Sequence, residues 1–322
     1  MAPNVPALYH PTLAVPDLEE ARAWFRKVFA RPALRWEETL DLGLLNPDYP
    51  VNYSFFAFIT DVHWVFLCPA LHAQGALAGQ TRYKGVSDGM IGMGWYTDDA
   101  VGMFEKLADA GVRAHDQQGQ IITSAKPPTS SFASDVFTGF TMPEDTGIRY
   151  EFQETGKRHW EYYSRQADPR LRPDWTGPSP DPDDPLSIEL TSHHTILTLN
   201  PERLTKLYVD LLDGQVIAGA HNAALNAEST FIRLADTVLE CAVPNPESPY
   251  SAKLSDDRDL YYGVSFLVTD PERVRTHLAE VDVPFTHDDG SVVIEPANGF
   301  GAQWRFIPEL PYPAAERRPA RF

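Results

Sequence analysis

Positive charge is scarce in this 322-residue chain: 27 Lys and Arg stand against 45 Asp and Glu, a formal net charge of −18. Phosphate backbones need a cationic face and anionic lipid surfaces need a polybasic patch, so neither a nucleic acid nor a membrane is expected as a partner. Cysteine is nearly absent. Cys68 and Cys241 are the only two, which excludes a disulfide framework and any C-x-x-C metal knuckle. No apolar run reaches the roughly 18 residues of a membrane span. The opening Met-Ala-Pro-Asn-Val-Pro lacks the basic segment and apolar stretch of a secretory signal, and a cytoplasmic location is expected. Three catalytic signatures are missing as well: G-x-x-x-x-G-K-[ST], G-x-S-x-G, and a helix-opening G-x-G-x-x-G.

What the chain has is repetition. The hydrophobic fraction of 43% and charged fraction of 22% describe a globular protein with a sizeable core. One pattern, a strand running through an Asp or Pro turn into an amphipathic helix, occurs four times. Two copies open on histidine, His10-Pro-Thr-Leu-Ala-Val-Pro-Asp17 and His194-Thr-Ile-Leu-Thr-Leu-Asn-Pro201. Two open on glycine, Gly92-Met-Gly-Trp-Tyr-Thr-Asp98 and Gly263-Val-Ser-Phe-Leu-Val-Thr-Asp270. The first helix should run from Leu18 to Phe29, with Leu18, Ala21, Trp24, Phe25, Val28 and Phe29 on one face. Gly214 stands where the third helix needs a C-terminal cap. Each unit then closes with two or three strands. Residues 156–186, rich in Pro and Arg, read as a linker between an N-terminal domain (1–155) and a C-terminal one (187–310), with 311–322 as a tail. Paired units should form cupped sheets with helices outside, an α+β architecture.

Strands send alternate side chains to opposite faces. If Leu13 and Val15 meet the first helix, His10, Thr12 and Ala14 face the cup. If Leu197 and Leu199 meet the third, His194, Ile196 and Thr198 face the cup and His193 points away. In the closing strands the inward sets are His63, Val65 and Leu67; Arg149, Glu151 and Gln153; Asp236, Val238 and Glu240; and Gln303 and Arg305. Asp98-Asp99 and Asp183-Asp184 read as helix-start or solvated carboxylates.

Four strand-helix-strand-strand-strand repeats, with Pro143-Glu-Asp-Thr-Gly-Ile-Arg-Tyr-Glu151 as the turn before a closing Glu, resemble the vicinal oxygen chelate superfamily. That superfamily includes glyoxalase I, epimerases, bleomycin-binding proteins and extradiol ring-cleaving dioxygenases. The resemblance implies two barrel-like cups of four βαβββ units and a divalent metal held by opening and closing strands. Carried over, the candidate ligands are His10, His194, Glu151 and Glu240, with Glu151, Glu240 and His10 as catalytic groups. Gly92 and Gly263 vacate two stations, Leu67 offers no ligand, and Arg305 is a fixed cation where a fourth ligand would be. Paired in chain order, one cup holds His10 and Glu151, the other His194 and Glu240. Paired through the middle repeats, Glu151, His194 and Glu240 converge. His63, Tyr96, Arg149, Arg305 and Tyr53 are the expected substrate contacts, with His63 either a liner or a third ligand. Glu240 could alternatively balance Arg305 as an ion pair.

The resemblance implies a dioxygenase using Fe(II) or Mn(II) on a small oxygenated, aromatic substrate. Alternatives are an isomerase or lyase using Zn(II) or Ni(II), and a metal-free binding protein. Monomer and homodimer are equally compatible with four repeats in one chain.

Overall fold

A computed structural model describes residues 3–35, 38, 52–74, 83, 86, 88–117, 119–122, 137–155, 168, 170, 175–178 and 180–317. The four repeats are explicit. The first comprises β1 (Leu8–Ala14), α1 (Leu18–Phe29), β2 (Ala33–Arg35), β3 (Ser54–Ile59) and β4 (Val62–Leu67). The second comprises β5 (Gly89–Thr97), α2 (Ala100–Asp109), β6 (Ala114–His115), β7 (Thr138–Thr141) and β8 (Arg149–Glu154). The third comprises β9 (Ile188–Leu197), α3 (Pro201–Thr205), β10 (Gln215–Asn222), β11 (Ala227–Leu234) and β12 (Thr237–Pro244). The fourth comprises β13 (Leu260–Val268), α4 (Pro271–Glu280), β14 (Thr286–Asp288), β15 (Ser291–Ile294) and β16 (Gln303–Ile307).

The repeats pair in chain order. One eight-stranded sheet runs β2-β3-β4-β1-β5-β8-β7-β6 and the other β10-β11-β12-β9-β13-β16-β15-β14. Each sheet is joined at its centre by two antiparallel opening strands, β1 with β5 and β9 with β13. Pairing through the middle repeats is thereby overturned, and Glu151 and Glu240 belong to different sheets.

Helix starts fix the register of each repeat. Asp17, Asp99, Asn200 and Asp270 occupy the N-caps, each side chain accepting from backbone N–H groups of the first turn, which satisfies donors that would otherwise have no partner. Seven residues before each cap stand His10, Gly92, His193 and Gly263. The second cap is Asp99 rather than Asp98. The third repeat therefore opens on His193, not His194. After α3 the chain continues as a π-helical turn, Lys206–Leu211. Asp213, at φ 58°, takes the left-handed position, while Gly214 donates to the Tyr208 carbonyl at 2.7 Å.

The backs of both sheets and the four repeat helices bury one shared interior. Trp304 of β16 sits at its centre, with ring centroids 4.9 Å from Trp64, 5.2 Å from Phe29 and 5.7 Å from Trp24. Polar ties cross the same boundary. Asp236 accepts from the Leu8 N–H at 2.8 Å, Asp61 from the Thr191 N–H at 2.8 Å, and Asp184 from Arg31 at 2.7 Å. Asp184 is buried and is not the solvated carboxylate expected of it. With both backs engaged, each sheet turns its other face outward as a cup. Among the described residues no helix is long and apolar enough to cross a membrane.

Candidate functional site

Four ladder rows define equivalent places in the cups. Two residues after each opener, Thr12 pairs with Val65, Gly94 with Glu151, Thr195 with Glu240, and Ser265 with Arg305. The first closing position is thus Val65, not Leu67. The glycine openers are closed to any side chain. A Cβ on Gly92 would lie 2.4 Å from the Arg149 carbonyl oxygen, and one on Gly263 the same distance from that of Gln303. Histidine is excluded there by backbone, not merely missing.

The N-terminal cup brings His10 and Glu151 together, Nε2 to Oε2 at 3.7 Å, beyond hydrogen-bond length. His10 Nδ1 meets the Thr12 hydroxyl at 3.1 Å, and Thr138 donates to Glu151 at 3.1 Å. Burial first, then His63, holds the His10 pKa well below the ordinary histidine value, so the pair is a neutral imidazole beside a carboxyl group. His63 stacks on Phe56 at 5.0 Å and lies 6.3 Å from His10, centroid to centroid. Neither of its ring nitrogens has a hydrogen-bond partner among the described residues. Burial lowers its pKa to about 4, with Asp168 opposing and Arg170 reinforcing. Tyr9 and Tyr96 pack together at 4.7 Å beside these rings. Tyr53 instead stands against His72, and Phe55 belongs to the core. Arg149 lies over the Tyr83 ring, 5.7 Å from its centroid. Arg170 adds a buried contact: it binds Asp168 and Asp236 and donates to the Tyr9 carbonyl at 3.0 Å.

The C-terminal cup is a cavity of about 550 Å³, lined among others by His193, Thr195, Asn222, Ser229, Glu240, Ser265, Gln303 and Arg305. Glu240 is 1% exposed and has four partners. Thr195 and Ser229 donate hydroxyls at 2.6 and 2.7 Å, Asn222 donates its amide at 2.8 Å, and His193 Nε2 lies 3.4 Å away. Burial pushes the carboxyl up, but His193 and these donors outweigh it and hold it at about 2. His193 Nδ1 meets the Ser192 hydroxyl at 2.9 Å. Arg305 does not pair with Glu240. It donates from Nη1 and Nη2 to Asp288, at 3.3 and 3.2 Å, and to Ser291 at 3.2 Å.

His194, expected in this cup, lies on its back. It is fully buried, its Nδ1 meets the Tyr261 hydroxyl at 2.5 Å, and its ring stands 6.2 Å from Trp64. Burial, with His193 and Arg317 adding to it, lowers its pKa to about 3. The alternation rule failed here because Leu197 packs on the cup side with Leu225, Ala227, Ala242 and Tyr262, Leu199 is 39% exposed, and Ile196 fills the core. The missed signal was Asn200: taking it rather than Pro201 as the helix start selects His193. Asn222, Ser229 and Thr195 carry no motif and show their role only once β9, β11 and β12 are adjacent.

A divalent cation, which the resemblance implies, does not fit the C-terminal cup. Glu240 already receives its hydrogen bonds, Gly263 admits no ligand, and Arg305 places a guanidinium at the remaining station. The N-terminal cup brings two donors close, His10 and Glu151, with the His63 ring 6.3 Å from that of His10, where tightly held catalytic metals usually have three ligands. Among the described residues, no group of three or more His, Cys, Asp or Glu is placed to hold a metal.

Compared by sequence, neither a protein-family model nor a curated protein matches the chain. Solved structures do. A mutant of 4-hydroxymandelate synthase from Streptomyces coelicolor aligns over 94% of this chain and 92% of its own, at TM-score 0.59 and 13% identity. The 2,3-dioxygenase LapB from Pseudomonas sp. KL28 aligns over 99% and 97%, at TM-score 0.57 and 11% identity. A Mn(II)-bound glyoxalase from Novosphingobium aromaticivorans aligns over 96% and 84%, at TM-score 0.53 and 12% identity. The chain therefore has the vicinal oxygen chelate fold. Within that class it is a four-repeat form, with two cups in a single chain.

Proposed function

We propose that the chain is an enzyme of the vicinal oxygen chelate class that moves a proton on a small oxygenated substrate held in the C-terminal cup, an isomerase or lyase. The observation that carries this reading is the buried His193–Glu240 pair facing a cavity that also holds Arg305. Glu240, held at about 2, is too weak a base to take a carbon-bound proton near neutral pH. Its role is to stay charged and orient the imidazole, as a carboxylate does in a triad. His193 is left as the group that takes the proton and returns it: Nε2 is turned to Glu240, so Nδ1, which meets the Ser192 hydroxyl at 2.9 Å, is the nitrogen that exchanges. The hydroxyl and amide groups around them orient the substrate's oxygens.

The test is deuterium uptake from solvent into small hydroxy and oxo compounds, followed by NMR with oxygen consumption recorded alongside. Uptake that disappears in His193→Ala, without oxygen consumption, is expected. Uptake unchanged in that variant would end the proposal.

A second reading, metal-dependent ring cleavage of an aromatic diol, attaches to the N-terminal cup. It is favoured by the His10–Glu151 spacing of 3.7 Å, which suits two ligands of one ion better than a hydrogen bond, and by the two His63 ring nitrogens, which have no hydrogen-bond partner among the described residues. Elemental analysis of the wild type and Glu151→Ala separates the two: near-stoichiometric iron or manganese lost in the variant supports ring cleavage.

A further inference from the structure

We infer that the C-terminal cup selects short monocarboxylates bearing a hydroxyl or oxo group on the neighbouring carbon, with Arg305 as the carboxylate anchor. The inference rests on the reading of this cup as the substrate site and adds the substrate class to it.

The register supplies the scale. His193 pairs with Ser265 across β9 and β13, and Ser265 pairs with Arg305 across β13 and β16. His193 and Arg305 are therefore two strand spacings apart, about 10 Å between Cα atoms. All three residues line the same cavity. Once the two long side chains reach inward, the gap between imidazole and guanidinium suits a ligand of a few carbons.

The chemistry of each end is distinct. Arg305 carries the planar donor fork that matches a carboxylate. A carboxylate already rests on it: Asp288, at the edge of the sheet, accepts from both Nη1 and Nη2 through one oxygen, at 3.3 and 3.2 Å. Its side chain is 46% exposed, so it is a solvated stand-in that a ligand can displace. Ser291 takes a further Nη2 proton at 3.2 Å. The other end is the polar cluster around Glu240: the Thr195 and Ser229 hydroxyls give their protons to the carboxylate and keep lone pairs that accept from a ligand hydroxyl, while Asn222 keeps its second amide proton for a hydroxyl or carbonyl oxygen.

Charge and polarity set the remaining limits. Glu240, Asp288, Asp289 and Glu309 all line this cup, so a second carboxylate on the ligand would meet repulsion. Among the described residues Phe231 is the only Phe, Tyr or Trp in the lining, which leaves little surface for stacking an aromatic ring. This differs from the N-terminal cup, where Tyr9, Tyr96, Phe56 and His63 pack together.

The experiment is ligand-detected NMR and calorimetry on the full chain with lactate, pyruvate, lactamide and catechol, repeated with Arg305→Gln and Asp288→Asn. Lactate or pyruvate should bind and lactamide should not. Arg305→Gln should weaken carboxylate binding at least about tenfold. Asp288→Asn, which removes the stand-in from an exposed site, should tighten it about two- to fivefold by lowering competition for the guanidinium. Thermal melts confirm that both variants are folded. Equal binding of lactamide, or lactate binding unchanged in both variants, overturns the inference. If catechol binds, the carboxylates do not, and His193→Ala abolishes catechol binding, the carboxylate assignment fails while the cup remains the site. If no probe binds and His193→Ala leaves proton exchange untouched, both fail together.

Discussion

The N-terminal cup keeps its histidine and carboxylate 3.7 Å apart, beside a second histidine whose nitrogens have no hydrogen-bond partner among the described residues and a wall of aromatic rings. The C-terminal cup closes its pair to 3.4 Å, surrounds the carboxylate with three neutral donors, and adds a cation. One topology has thus produced two electrostatic solutions. In the first, burial keeps both histidines uncharged. In the second, hydrogen bonds keep a buried carboxylate charged. The fold places the stations, and the side chains that strand adjacency brings around them decide what the cup can hold.

The severest test of this equivalence is steric. Gly92→Ala and Gly263→Ala each place a Cβ 2.4 Å from a carbonyl oxygen of the neighbouring strand. Backbone cannot yield as a side-chain tip can, so each variant should lose about 3–5 kcal/mol in urea denaturation. A much smaller loss at Gly92 alone would show that the N-terminal opening strands tolerate separation and that the cups differ in rigidity as well as charge.

The carboxylates should separate the cups next. Glu240→Gln leaves one carbonyl oxygen for three donors and removes the charge beside His193, which should cost about 3–4 kcal/mol. Glu151 is 17% exposed at its side chain, so solvent helps to hold its charge and Glu151→Gln should cost less than Glu240→Gln. Equal losses in chemical denaturation would contradict the contrast in how the two carboxylates are held.

Acid should act through the histidines. A histidine whose folded pKa is depressed binds fewer protons than it does unfolded, so stability rises with pH across the interval between the two values. For His63, lowered from 6.5 to about 4, the loss on acidification begins near pH 6.5 and is complete near pH 4, about 3 kcal/mol in all. His10, and His194 in the shared interior, are lowered as well and act in the same direction. Glu240, lowered to about 2, contributes stability that is full above the unfolded carboxyl value and fades only below about pH 4. Denaturation at pH 7 and pH 5 therefore reads the histidines apart from Glu240. His63→Phe, which can keep the stack on Phe56, should reduce the slope in this interval by the His63 share and leave that of His10 and His194, and an unchanged slope would place the proton uptake elsewhere.

How much of this was legible in the sequence depended on whether a local rule fixed the answer. α1 was readable to its ends because its apolar stripe is wide and its capping residue unambiguous. The inward facing of His10 and Glu151 was readable because alternation puts Leu13 and Val15 on one strand, and Tyr150 and Phe152 on the other, on the opposite face, where the structure buries them in the shared interior. The third repeat was not, since its opening strand is apolar on both faces around Leu197, and periodicity there cannot say which side is the core. Chain-order pairing rests on β1 meeting β5 and β9 meeting β13, contacts distant in sequence that no local pattern reports. Residues such as Asn222 and Ser229 became part of the site only through strand adjacency.

The smallest effect tests the register of that third repeat. His193 and His194 are chain neighbours, yet one faces the cup and the other the shared interior. His194 is fully buried and bonded to the Tyr261 hydroxyl. His194→Gln retains a polar group within reach of that hydroxyl, so the loss should be about 1 kcal/mol, with proton exchange in the C-terminal cup preserved. His193→Gln should do the opposite, abolishing exchange while changing stability little, because an amide can still donate to Glu240. The two variants differ by one position in the chain, so composition and charge are held constant between them. If exchange is lost in His194→Gln and kept in His193→Gln, the strand is one residue out of register and the cup chemistry belongs to the other histidine.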